Sequence, residues 1–242
     1  MSSASDPHDA TRPRGAPPNQ ARASETKDRL LDAAEKLFGE RGFDGASMRA
    51  LTHAAGVSVS AANYHFGSKE ALLRATLLRR VQPLNRRRLE RLDAIECEAA
   101  GQPLVLESIL EAFLRPIFDE RAASVDATSR FRQVAARLYS DPPEVVDAMK
   151  RELFGPIMVR FVDALSKSLP DKARREIELG FQLSVGVMVH VISGHLESML
   201  DSEDSVPEAG DVALSDESLF EQMIAYMAAG LRAKRPRRGE QA

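Results

Sequence analysis

The sequence predicts an all-α protein: a three-helix helix-turn-helix head at the N-terminus and a larger C-terminal helical domain behind it. Three observations lead there. From Ser24 onward apolar residues recur at spacings of three and four, beginning with Leu30, Leu31, Ala34, Leu37 and Phe38, the period of a helix with one buried face. Helix start signals are present, the fullest being Asp141-Pro142-Pro143-Glu144, with Asp as N-cap, Pro at the first helical position and Glu three after the cap. Strand signals are scarce: the chain has no Asn-Gly dipeptide, and alternation is confined to part of 185–192.

Residues 1–23 hold Pro, Ser, Arg and Ala with almost no large apolar side chain. They bury too little to offset their ordering entropy, which predicts a disordered tail. The first helix runs from Ser24 to a stop at Gly42, with Phe43 tucked behind it. Residues 47–69 then read as a second helix over Ser47–Ala55, a turn at Gly56, a third helix over Val59–Phe66, and a Gly67-Ser68 break. Leu51, Ala54, Ala55, Val57 and Ala62 are small enough to let two helices cross closely, and Gly56 has the backbone freedom that a sharp turn needs. The third helix offers Ser58, Val59, Ser60, Ala61, Asn63, Tyr64 and His65 outward. These are polar or thin side chains rather than a solvated Lys/Glu face, as a helix entering a DNA groove requires.

Ser68 caps a fourth helix, with Glu70 in its first turn, where negative charge suits the helix dipole. Its apolar residues are Leu72, Leu73, Leu77 and Leu78, then Leu84, Leu89, Leu92 and Ile95 past a kink at Pro83. Further helices are predicted over about 104–121, 127–140, 142–168, 172–200 and 215–234, with kinks or breaks at Pro116 and Gly155-Pro156 and an acidic loop over 201–214. The segment 179–196 carries no formal charge over 18 residues, the length of a membrane span. Gln182, Ser184, His190, Ser193 and His195 interrupt it, and Gly180, Gly186 and Gly194 weaken its helix, so it reads as a helix buried on most sides. Two placements stay open for it: the core or a subunit interface, or a stripe facing a ligand.

The net charge of −3 argues against nucleic acid, but its distribution argues the other way. Residues 1–92 carry 16 Lys/Arg against 10 Asp/Glu, and residues 93–242 carry 17 against 26. A basic head on an acidic body suits a DNA-binding protein. Cys97 is the only cysteine, which excludes a disulfide framework and suits a reducing compartment. No apolar run opens the chain, so a cytoplasmic location is expected. Nothing calls for a cofactor or an enzyme: metal-ligand spacing, a Gly-rich phosphate loop and a Ser/His/Asp arrangement are all missing from the sequence, and His190 and His195 fall on different helix faces.

The stretch Thr26–Leu73 contains Leu31-x-Ala33-Ala34-x-x-Leu37-Phe38, Gly42-Phe43, Arg49-x-Leu51, Ala55-Gly56-Val57 and Tyr64-His65-Phe66-x-x-Lys69-Glu70-x-Leu72. It closely resembles the DNA-binding head of the TetR/AcrR family of bacterial transcriptional regulators. The resemblance implies a head over 24–84, an effector-binding and dimerisation domain over 85–235, and a basic tail over 236–242. It implies a ligand-released repressor that acts as a homodimer on a palindromic double-stranded DNA operator, with a small apolar or amphipathic effector. An effector-independent DNA-binding dimer is one alternative, separated from this reading by a closed apolar pocket in the larger domain, and an enzyme built on a helical scaffold is the other.

By the same resemblance, Ser47 and Tyr64 meet phosphate oxygens, and His65 and Lys69 take two further backbone-contacting positions. Arg49 is the candidate for a bidentate guanine contact. Ser60, Ala61 and Asn63 face the groove, Asn63 for adenine and Ala61 or Val59 for a thymine methyl. Asn63 departs from the family's commoner Tyr-Tyr-His-Phe form. Structural alternatives remain: Arg49 paired with Asp44, Tyr64 packing the head, His65 bonding a helix end. In the larger domain Phe113, Phe118, Phe131, Tyr139, Phe154, Met158, Phe161, Phe181 and Met188 are pocket candidates, with plain core packing as the alternative. Val185, Val189, Ile192, Leu196, Phe220, Met223 and Met227 are candidates for a dimer interface built from helices 172–200 and 215–234. The run Arg86-Arg87-Arg88 with Arg91 reads as a solvated helix face.

Overall fold

The computed structural model of the chain describes residues 18–123, 134, 144–192 and 216–233. The expected helix over 127–140, the loop over 201–214 and most of both tails lie outside them. The described residues form eight helices and no strand.

Helix α1 spans Pro18–Gly45 and begins ahead of the predicted start at Ser24, so residues 18–23 are helical rather than part of a disordered tail. Pro18 opens it at no hydrogen-bond cost, because the first N–H of a helix has no intrahelical acceptor. Gly42 has φ 71° and ψ −179°, which breaks the helical path within this span. Phe43 is thereby turned back onto Phe38, with ring centroids 6.1 Å apart.

The next three helices are each fixed by a serine N-cap. The Ser47 hydroxyl accepts from the Ala50 N–H (3.2 Å) ahead of α2, Met48–Ala55. Ser58 accepts from Ala61 (3.1 Å) ahead of α3, Val59–Phe66, and Ser68 accepts from Ala71 (3.1 Å) ahead of α4, Lys69–Glu98. Each cap satisfies an N–H that has no partner inside its helix.

Helix α5 spans Leu106–Ala123, α6 Glu144–Ser168, α7 Arg174–Ile192 and α8 Asp216–Arg232. Pro83, Pro116 and Pro156 lie inside α4, α5 and α6, which continue across them. Neither Pro116 nor the Gly155-Pro156 pair breaks its helix. Buried neighbours on both sides, such as Phe113 with Ile117 and Leu153 with Ile157, hold these segments in line.

Two cores result. The head core joins Leu30, Phe38, Leu51, Ala62, Leu73 and Val81, and takes Met149 and Leu153 from α6. The body core joins Leu84 and Leu92 of α4 to Phe113, Phe161, Phe181 and Phe220. Helix α4 therefore belongs to both. Its head half is tied to α1 by Glu35, whose buried carboxylate receives Arg79 at 2.6 Å and Arg80 at 3.0 Å. In the body, Phe113 meets Phe161 and Phe181 edge-on at 5.1 and 4.9 Å. Helix α8 lies against α5 and α7. At Gly180 of α7 a Cβ would fall 2.8 Å from Leu231 Cδ2, so the glycine permits this close approach.

Candidate nucleic-acid interface

The turn between α2 and α3 is built around Gly56, at φ 63° and ψ 38°, where a side chain is strained. Its N–H donates to His53 O (3.1 Å), the Val57 N–H donates to Thr52 O (3.0 Å), and Arg29 Nη2 of α1 donates to Gly56 O (2.9 Å). Arg29 thus fixes the angle between α2 and α3 from the helix behind them. Ala62 is fully buried on the inner side of α3. Ser60, Asn63 and Tyr64, at spacings of three and four, share the solvent-facing side, and Tyr64 is 86% exposed. Tyr64 is not part of the head core.

The other head residues fall around this face. Val59 is exposed, Ala61 half-buried, and the half-buried His65 ring stands edge-on to Tyr64 with centroids 5.3 Å apart. Ser47 and Arg49 are exposed at the start of α2, and among the described residues no ion pair joins Arg49 to Asp44. Lys69 is the exception to simple outward display: Nζ donates to Phe43 O at 3.0 Å and sits 4.0 Å from the Phe43 ring centroid. One Lys69 proton therefore ties α4 to the end of α1.

The body contains a cavity of about 430 Å³ bounded by α4, α5, α6 and α7 and open to solvent on one side. Of the residues expected to form a pocket, Phe113, Phe154, Met158 and Met188 line it. Phe161 and Phe181 are instead fully buried behind Phe113, and Phe118 is turned onto Phe220, with centroids 5.2 Å apart. Phe131 and Tyr139 lie outside the described residues.

The residues expected at a dimer interface are placed differently. Val185, Val189 and Ile192 line the cavity, and Phe220, Met223 and Met227 are buried in the body core. These last share one stripe of α8, and that stripe is used up by packing against α5 and α7. Leu196 lies outside the described residues. Among the described residues of the body, the large apolar side chains left exposed are Leu179 and Leu183 of α7, Tyr226 of α8, Val159 of α6 and Val105 ahead of α5.

Three cavity-lining cations, Arg88, Lys150 and Arg151, were not expected there. Arg88 is only 2% exposed, contrary to the solvated face expected for 86–88. The signal lay in the spacing Val81, Leu84, Arg88, Leu92, which puts Arg88 in the middle of an apolar stripe. Its Nε donates to Phe113 O (2.8 Å), Nη1 donates to Asn85 Oδ1 (3.3 Å), and the guanidinium lies 4.0 Å over the Phe113 ring. Burial holds the Lys150 ammonium below the usual lysine range, with the Asp147 carboxylate 3.8 Å away acting against that shift.

Comparison with known proteins bears on both halves. Residues 30–76 match the family described as bacterial regulatory proteins, tetR family, and residues 111–230 match the tetracyclin repressor-like C-terminal domain. The chain belongs to the TetR family. The matched TetR segment begins in α1 and runs through α2 and α3 into α4, so it contains every residue of the exposed face.

The TetR-family relatives are regulators rather than enzymes. The HTH-type transcriptional regulator UidR of Escherichia coli K12 is 34% identical over 122 residues, covering 49% of this chain and 60% of UidR. The matched part of the chain thus spans about three-fifths of that relative's length. The HTH-type transcriptional repressor AcnR of Corynebacterium glutamicum is 26% identical over 176 residues, 73% of this chain and 78% of AcnR. The structure of the fatty acid degradation regulator FadR from Bacillus halodurans superposes with a TM-score of 0.56 at 16% identity, covering 86% of this chain and 99% of FadR, a likeness of fold. Among the described residues no helix is long and apolar enough to cross a membrane.

Proposed function

We propose that this chain is a transcriptional repressor acting in the cytoplasm, a homodimer that holds a palindromic operator until a small molecule enters the body cavity. The observation that carries the reading is the exposed face of α3, where Ser60, Asn63 and Tyr64 stand in solvent on a helix fixed by the Ser58 cap and the Arg29-held turn. Arg49 and Asn63 are the base-reading candidates, and Ser47, Tyr64, His65 and Lys69 the phosphate anchors. Repression is supported by likeness to AcnR, itself described as a repressor. Ligand control is supported over an effector-independent dimer by the cavity of about 430 Å³, within the range of roughly 300–1,000 Å³ usual for small-molecule sites.

Leu179, Leu183 and Tyr226 are the residues we assign to the dimer interface, in place of the buried stripe of α8. Across a two-fold axis, α7 and α8 would form a four-helix contact, and the heads would reach major grooves about 34–36 Å apart. Selection of bound sequences from a random duplex pool tests the reading. A palindromic consensus with half-sites one helical turn apart is expected, and recovery of no enriched sequence would refute it.

A further inference from the structure

We infer that Asn85 and Arg88 are positioning residues for operator binding: together they clasp α4 to α5, α6 and α7 and so fix how far apart the two heads stand. The inference rests on the proposed reading of the chain as a dimer on a palindromic operator. Phe113 of α5 and Leu153 of α6 each stand three residues before a proline of their own helix, Pro116 and Pro156. A proline brings no N–H to the helical ladder, and its ring crowds the turn before it. The backbone oxygens of that turn are thereby opened to donors from a neighbouring helix. Helix α4 supplies a donor to each: Arg88 Nε reaches Phe113 O at 2.8 Å, and Asn85 Nδ2 reaches Leu153 O at 3.1 Å. The two donors are joined to one another, since Arg88 Nη1 donates to Asn85 Oδ1 at 3.3 Å. Arg88 also reaches α7, with Nη2 donating to Met188 Sδ at 3.5 Å.

The clasp stands at the boundary of the two cores. Asn85 follows Leu84 of the body core on α4, and its acceptor residue Leu153 packs into the head core, whereas Phe113 and Met188 belong to the body core. A carbonyl held in a helix cannot follow a moving donor, and hydrogen bonds weaken steeply as length and angle depart from their normal range. Neither sliding nor rotation of α4 therefore keeps both bonds. Burying a guanidinium is costly unless it is hydrogen-bonded, so Arg88 favours the one setting of α4 in which its acceptors are in reach. Helix α7 carries Leu179 and Leu183, which we assign to the dimer contact. Through Met188 the setting of α4, and with it the head, is thus referred to the two-fold axis.

The test measures binding of the full-length chain to a set of duplexes. These are the operator recovered by selection, the same half-sites set one base pair closer and one base pair further apart, and a single half-site. The native chain is expected to favour the selected spacing over both altered ones. Asn85→Asp keeps an oxygen for Arg88 and loses the donor to Leu153 O. It should lower the spacing preference by about three- to tenfold, the effect of losing one hydrogen bond, and leave affinity for the single half-site unchanged. Arg88→Met, which also opens the arms to α5 and α7, should lower the preference at least as far. Asn85 is only half-buried, so Asn85→Asp keeps the test decisive if Arg88→Met fails to fold. An undiminished preference in Asn85→Asp would overturn the inference and leave the proposed function standing. An equal loss of affinity for every duplex would also overturn it, as the mark of a chain that is merely destabilised. If the native chain itself showed no preference among spacings, the reading as a dimer on a palindrome would fall, and the inference with it.

Discussion

Arg74 of α4 and Glu152 of α6 form a two-point ion pair, with Nε donating to Oε2 at 3.1 Å and Nη2 to Oε1. The hydrogen bond from Arg74 holds the Glu152 carboxyl below its ordinary range. The pair sits one residue from Leu153, which belongs to the head core and also lines the cavity. It therefore joins the head half of α4 to the helix a cavity ligand would press upon.

Both side chains are largely exposed, so losing the pair should change stability little. Its effect should appear in coupling instead. With a labelled operator and a cavity ligand, Glu152→Gln should alter the factor by which the ligand weakens DNA binding while leaving the thermal midpoint nearly unmoved. Exchanging the charges, Arg74→Glu with Glu152→Arg, should restore that factor. Equal factors in all three proteins would show that the pair transmits nothing.

Lys69 and Arg49 should fail in different ways. Lys69→Ala should weaken binding to every sequence alike and flatten the salt dependence by about one unit in slope. It should also destabilise the head by about 1 kcal/mol, since the bond to Phe43 O and the ring contact are lost together. Arg49→Ala should leave stability alone and relax preference at one base-pair position by about 1–3 kcal/mol. Titrations against single-base variants of the selected site, at several salt concentrations, separate the two signatures.

Gly56→Ala should destabilise the head by about 1–2 kcal/mol from its left-handed backbone alone. A further part is steric, because the new Cβ would lie 2.5 Å from Arg29 Nη2. Urea unfolding of the single and double variants should show Arg29→Ala costing less in the Gly56→Ala background than in the native one. Additive costs would mean that Arg29 simply swings aside.

Arg160 makes stability sensitive to acid. It donates to Glu96 Oε1 at 2.9 Å and to Asp93 Oδ1 at 2.8 Å, and its hydrogen bonds to Glu96 hold that carboxyl below its ordinary value of 4.5. A depressed folded value means that the folded chain binds fewer protons than the unfolded one. The contribution is present above the ordinary value and is lost as pH falls through the folded one. The stability advantage of the native chain over Glu96→Gln should thus shrink as urea midpoints are followed from about pH 6 down to about pH 3.

The head was legible because its signals are local. Ser47, Gly56 and Ser68 act within four residues of themselves, through a cap or a backbone angle, and no distant partner is needed to interpret them. Gly42 likewise marks the break in α1, although the start of that helix at Pro18 was hidden by a composition typical of tails. The body was less legible because its helices are apolar on more than one face. Nothing along α8 alone says that Phe220, Met223 and Met227 turn inward while Tyr226 stays outside; the neighbours on α5 and α7 decide it. Arg88 shows the same dependence. Beside Arg86 and Arg87 it looks like part of a charged run, and only its phase relative to Leu84 and Leu92 places it inside.

Since α4 runs unbroken from Lys69 to Glu98 through both cores, it acts as a geared shaft. An α-helix turns about 100° and advances about 1.5 Å per residue. One residue inserted between Val81 and Leu84 would swing the α3 face by that angle relative to the body, and would pull the head core away from Met149 and Leu153 of α6. Seven inserted residues would bring it nearly back into phase. On the proposed reading, a head from another such protein would serve this body only if it were joined in phase along α4.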